Sequence, residues 1–139
     1  MAASSLPVEH LFTMEITAEM GEAYHIRSGP AGRRFIAAVT GGTFTGPKLS
    51  GIIATQTGGD WVTIRADKTM RLDVRLVLKT TDDAIIYMYY GGIGSEGQLR
   101  TAPYFETDAE PYRWLNNVQG VGVGTIGPNG PTYDIYALR

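Results

Sequence analysis

The sequence of 139 residues contains no cysteine and only two histidines. The first absence excludes disulfides, thiolate nucleophiles and cysteine metal sites, and is compatible with a reducing, cytoplasmic setting. The second leaves His10 and His25 in different elements with no HxH or HExxH spacing, so a histidine-built metal centre is not expected. Surplus positive charge is missing as well. Twelve Lys and Arg stand against fourteen Asp and Glu, a net charge of -2, whereas a nucleic-acid surface needs a basic excess. No apolar run approaches the roughly 18 to 20 residues of a membrane-spanning helix. The start, MAASSLPVEHLF, lacks the basic-then-apolar order of a secretory leader. Neither nucleic acid nor membrane is therefore an expected partner. Phosphate loops of the GxxxxGK[ST] type and GxSxG elbows are absent, and Gly120, Gly122 and Gly124 lie in a strand-like run, so no nucleotide cofactor or hydrolase triad is supported.

What is abundant is glycine, with 18 residues, and tyrosine, with 8. That combination suits short aromatic strands joined by tight turns. Alternation of apolar and polar residues predicts strands over 8–17, 33–40, 49–55, 61–66, 70–79, 84–90, 119–126 and 132–138, with shorter pieces near 24–26 and 105–108. Residues 19–32 read as a long connection, GGTFTGP as a turn-rich bridge, 80–83 as a hairpin turn and GGIGSEG as a flexible segment. Residues 111–117 form the most helix-like piece, at most two turns, with Pro111 tolerable at a first helical position. Eight or nine strands with almost no helix predict an all-β fold, a single antiparallel barrel or sandwich over 8–139 behind a flexible stretch 1–7. A chain of this size buries a core without staples.

Chemistry concentrates between Gly58 and Tyr90. On the strand 70–79, Arg71, Asp73, Arg75 and Val77 share one face, and Leu72, Val74, Leu76 and Leu78 share the other. The charged face suits a surface ion-pair ladder, or a polar pocket in which Asp73 is matched by its arginines. Asp60 and Trp61 follow two glycines at a strand mouth. Tyr87 and Tyr89 share a face, while Tyr90 lies on the other with Ile86 and Met88. Asp82 and Asp83 belong to the hairpin turn, where aspartate accepts hydrogen bonds from nearby backbone, in preference to a calcium site.

The segments GRR (32–34), GGTFTGPKLSG (41–51), GGDW (58–61), LDVR (72–75), TDDA (81–84), TAPYFET (101–107) and YRWLN (112–116), in this order, resemble the DUF3237 family, also called UPF0311, over almost the whole chain. The one departure is Ala84, where the family often has glycine. The resemblance implies a small lipocalin-like antiparallel β-barrel, often oligomeric, so a homo-oligomer is expected. Some fungal relatives look like polyketide cyclases that add a hydroxyl across a carbon-carbon double bond. The expected function is a small-molecule-binding barrel, working without cofactor as an acid-base lyase, isomerase or cyclase; the rival expectations are a carrier barrel and a structural oligomer. Asp73, Asp60 and Arg75 are the expected catalytic residues. Arg34, Phe44, Trp61, Arg65, Tyr89, Arg100, Phe105, Trp114 and Asn116 are the expected substrate contacts, although Phe105 and Trp114 suit core plugs and Asn116 a helix cap. Barrel closure would turn Asp73 and Arg75 inward, put Asp60 and Trp61 at a rim, and leave the leucine face for a subunit contact or a covering segment.

Overall fold

The computed structural model describes residues 2–19 and 23–139. Eleven strands occur among them: β1 (Val8–Ala18), β2 (Tyr24–Gly29), β3 (Gly32–Thr45), β4 (Ser50–Ile53), β5 (Gly59–Ile64), β6 (Met70–Thr80), β7 (Ile85–Ser95), β8 (Gln98–Thr101), β9 (Tyr104–Glu106), β10 (Gly120–Gly127) and β11 (Gly130–Leu138). A short 3-10 helix, Glu110–Asn117, has Pro111 in its first turn, where the missing N–H costs nothing. The expected connection around Gly21 lies outside the described residues. No helix among the described residues is long and apolar enough to cross a membrane.

Every pairing is antiparallel, and the order β6-β5-β3-β1-β11-β10-β8-β7 closes through the β6–β7 pair into an eight-stranded barrel. The other three strands lengthen its walls: β2 lies on β3, β4 bridges β3 and β6, and β9 lies on β7. The barrel fold expected from the sequence is thus the fold observed.

Two stretches of the expected pattern need correction. GGTFTGP is not merely a bridge, because β3 runs through it to Thr45. Gly41 and Gly42 have φ of 152° and 141°, and a Cβ on Gly42 would strike the Glu15 carbonyl. They let β3 bend while staying paired to β1. Likewise GGIGSEG is not a flexible segment but the end of β7, the turn into β8 and a strand alternation missed because glycine carries no hydropathy. A side chain on Gly92 would collide with the Arg100 carbonyl of β8, so this glycine permits close strand approach.

The core falls into two halves. Toward the ends of β4, β6 and β9, Phe12 packs edge-on against Phe44 at 5.4 Å and Phe105 at 6.1 Å. A register shift between His10 and Phe12 lets both Leu11 and Phe12 turn inward. Leu115 and Tyr112 of the 3-10 helix close this end. Asn116 clamps the helix down by accepting from Thr107 N at 2.8 Å and donating to Thr107 O at 2.9 Å. In the hairpin turn, Asp82 accepts from Thr80 Oγ1 at 2.5 Å and from Tyr112 Oη at 2.8 Å, the turn role expected of it. The opposite half holds the cavity described next.

Candidate functional site

The two faces of β6 settle the orientation left open by the sequence. Leu72, Val74, Leu76 and Leu78 are 0 to 3% exposed and fill the barrel. Asp73 and Arg75, expected inside, instead point outward, with side chains 42% and 52% exposed and 3.5 Å between Oδ1 and Nη1. The reason is energetic. Four aliphatic side chains gain about 1.5 to 3 kcal/mol each on full burial, while enclosing ions demands complete pairing. Arg75 finds its contact on the outer wall, 4.8 Å from the Tyr89 ring, which in turn packs 5.2 Å from Tyr104. The hydroxyl of Tyr89 is pushed up by burial and then by the charge of Asp73.

Other expected substrate contacts scatter for similar reasons. Trp61 stands 38% exposed on the outer face of β5, and Arg34 occupies the same outer face of β3, paired to Thr63. Arg65 lies in the β5–β6 turn and donates to Thr69 Oγ1, and Arg100 turns back on Leu99 O and Gln98 Oε1. Phe44 and Phe105 are core plugs at 1% and 3% exposure. Trp114 donates to Pro111 O beneath the Lys48 ammonium, and Asn116 is the clamp already described. None of these reaches the cavity.

Asp60 does. Its strand partner is Val74, one of the inward residues of β6, and it sits on the inner face of β5 with Val62. Between the Asp60–Val74 and Thr63–Arg71 pairs the β5–β6 ladder opens, and the Asp73 N–H donates to Asp60 Oδ1 at 3.5 Å. The cavity in front of this carboxyl is about 50 Å3 and is lined by residues such as Phe35, Met70, Leu72 and Ile126, with Tyr90 and Tyr133. Among the described residues, Asp60 is the only charged one in its wall. Burial raises the Asp60 carboxyl to about 7, against a smaller lowering by the Asp73 N–H, with the Asp73 charge adding to the rise.

The rings of Tyr90 and Tyr133 meet edge-on at 5.4 Å. Burial pushes both hydroxyls up, so both stay protonated donors. Tyr133 fits because β10 presents glycine inward. A Cβ on Gly124 would stand 2.5 Å from the Tyr133 ring. Neither tyrosine stands among the site residues expected from sequence, yet a signal existed: Tyr90 shares a face with Ile86 and Met88, Tyr133 with Ile135 and Ala137, and Asp60 with Val62. A polar group on the apolar parity of a barrel strand points inward.

Fold and site together define a closed antiparallel barrel enclosing an apolar cavity with, among the described residues, a single ionisable carboxyl. The chain belongs to the DUF3237 family, "Protein of unknown function (DUF3237)", whose model matches residues 6–96 and 93–138. It is 34% identical to the hydroalkoxylation enzyme phnH of Penicillium herquei over 83% of this chain and 72% of that one. A UPF0311 protein of Bradyrhizobium diazoefficiens is 30% identical over 80% of this chain and 82% of its own. Among solved structures, a β-barrel like protein from Acinetobacter baumannii superposes with a TM-score of 0.89 at 27% identity, covering 99% of each chain.

Proposed function

We propose that this barrel is a cofactor-independent acid-base enzyme that adds a substrate hydroxyl across a carbon-carbon double bond, closing an oxygen heterocycle. The observation that carries the reading is Asp60, the one carboxyl among the described residues of an apolar cavity, raised by burial to about 7. A group so poised is populated in both protonation states at neutral pH, the condition under which proton transfer is most effective. The similarity to an enzyme named for hydroalkoxylation supports the reaction class.

In this reading the protonated Asp60 gives its proton to one alkene carbon. The substrate oxygen bonds to the other carbon, and the hydroxyl proton returns to the carboxylate. Atoms balance, the substrate is isomerised, and the acid is regenerated. Positive charge developing at the second carbon faces the Tyr90 and Tyr133 rings, whose π faces attract cations. Dry walls strengthen these interactions and keep water from trapping the cation.

A 2-prenylphenol, whose ring-closed product has the same mass and a different chromatographic retention, is a suitable first substrate. Asp60→Asn lowers the rate of cyclisation by about 10²- to 10⁴-fold and Asp60→Glu retains part of it. Cyclisation that proceeds undiminished in Asp60→Asn sinks the mechanism. A carrier barrel is the second reading, favoured by the largely apolar lining. It is the better one if ligands fill the cavity and none is converted.

A further inference from the structure

The cavity volume decides how a substrate must lie. One water takes up about 30 Å3 in the liquid, and benzene fills an engineered cavity of about 150 Å3. At about 50 Å3, the interior takes the reacting end of a molecule and leaves the remainder at the mouth. The chemistry of the mouth therefore selects the substrate.

Strand pairing identifies what stands there. Phe35 lines the cavity and pairs with Val62, so the inner face of β3 passes through Phe35 and, two residues back, Arg33. Arg33 pairs with Ile64, which packs against the core from the same inner face. On the neighbouring strand His25 pairs with Phe35, and their rings lie 5.8 Å apart, placing the imidazole on that face too. Neither Arg33 nor His25 makes an ion pair with another described side chain. The facing lip is different in kind. It is made of Ile126, 46% exposed, and Pro131, at the ends of β10 and β11. One lip thus offers a cationic group and N–H donors, while Ile126 and Pro131 give the other a hydrocarbon surface.

We propose that this mouth anchors an oxyanion, a carboxylate or ionised phenol, through Arg33 with His25 as second donor, while the apolar end of the same molecule enters the cavity. Arg33 is four residues along β3 from Ala37, the partner of Asp60, about 13 Å at roughly 3.3 Å per residue. The flexible guanidinium shortens this by leaning inward. The ligand is then an amphiphile with its anionic group up to about that distance from the reacting carbon. A guanidinium suits this task because its paired donors match the two oxygens of a carboxylate. The assignment rests on the cavity being the ligand site, as under the proposed function.

The test uses two probes of equal shape, 6-methylheptanoate and 6-methylheptanamide, titrated into protein carrying 13C-methyl methionine. Met70 lines the cavity, and its resonance is assigned with Met70→Leu. Both probes shift the Met70 methyl, and the acid binds about tenfold more tightly than the amide, the worth of one charge-assisted hydrogen bond. Arg33→Gln brings the acid down to the affinity of the amide and leaves the amide unchanged; His25→Ala has a smaller effect in the same direction. Equal affinities in the unaltered protein, or a preference for the acid that survives Arg33→Gln, overturn the anchoring while leaving the cavity intact. A Met70 resonance that neither probe moves overturns the anchoring and the cavity reading together.

Discussion

Two aspartates lie on opposite sides of one barrel wall, close enough that the backbone N–H of Asp73 reaches the carboxylate of Asp60. Asp73 points out, part-exposed, with Arg75 beside it. Asp60 points in, among hydrocarbon and two tyrosine rings, with its acidity displaced to about 7. Residue type is the same in both. Chemical capacity is set by which side of the sheet the side chain occupies, and that is decided by a single-residue parity. A charge on the outer wall is screened by water and contributes solubility. The identical group turned inward is surrounded by hydrocarbon, which raises its pKa.

The comparison breaks most visibly at Asp60. Asp60→Asn lowers turnover by about 10²- to 10⁴-fold, the typical worth of a positioned proton donor, measured on a substrate that the unaltered protein cyclises. In the unaltered protein, kcat/KM falls as pH rises through about 7, because the acid form is lost. Stability carries the same signature. Below the ordinary carboxyl value of 3.8 the group is neutral in folded and unfolded chains alike. Between there and about 7 the unfolded chain ionises first, so stability falls as pH rises, by up to the order of 4 kcal/mol at about 1.4 kcal/mol per unit. Urea unfolding across that range shows the decline, and Asp60→Asn flattens it. A slope that persists in the variant assigns it to other groups.

Next in size is the contrast between the two halves of the barrel. Phe12→Ala in the packed half costs about 3 to 5 kcal/mol by denaturant midpoint, since Phe44 and Phe105 close on that ring. Ile126→Ala at the mouth stays within about 0.5 kcal/mol. Similar losses at the two positions would mean that the cavity half is as tightly packed as the other. Gly124→Ala is smaller than the Phe12 loss, about 1 to 3 kcal/mol for overpacking, and it also displaces Tyr133. Near-ultraviolet circular dichroism of the tyrosines reads that displacement, and an unaltered spectrum counts against the fit between glycine and ring. Smallest is Asp73→Asn. An exposed ion pair contributes about 1 kcal/mol or less, so both the unfolding midpoint and turnover remain near those of the parent. Loss of turnover at Asp73 equal to that at Asp60 would dissolve the distinction between the two sides of the wall.

Much of the barrel was legible because strands advertise themselves by period. The inward and outward sets of β6 and the separation of Tyr90 from Tyr87 and Tyr89 follow from alternation alone. Glycine-rich walls were not legible. At Gly92 a neighbouring strand, and at Gly124 a strand and the Tyr133 ring, approach too closely for any side chain, while Gly122 and Gly94 leave room for the side chains of Thr101 and Met70. A residue without a side chain gives no alternation to read. The site was half legible. Asp60 stood among the expected catalytic residues, but Asp73 and Arg75 accompanied it because a charged face was assigned to a pocket when the apolar face had the stronger claim on the interior.

By itself the sequence determined that the chain is antiparallel and all-β, where its strands lie outside the glycine-rich stretches, and which side chains share a face, because these depend on neighbours along the chain. The barrel itself was expected from the family resemblance. Only closure of the sheet decided which face is inside. Burying four aliphatic groups of β6 outweighs enclosing its charges, and that balance exists only once β6 and β7 have paired to complete the ring. Closure also joined Asp60, Tyr90 and Tyr133 from β5, β7 and β11 around one cavity. Their spacing in sequence carries no trace of that meeting, since barrel neighbours are set by strand order and register rather than by position along the chain.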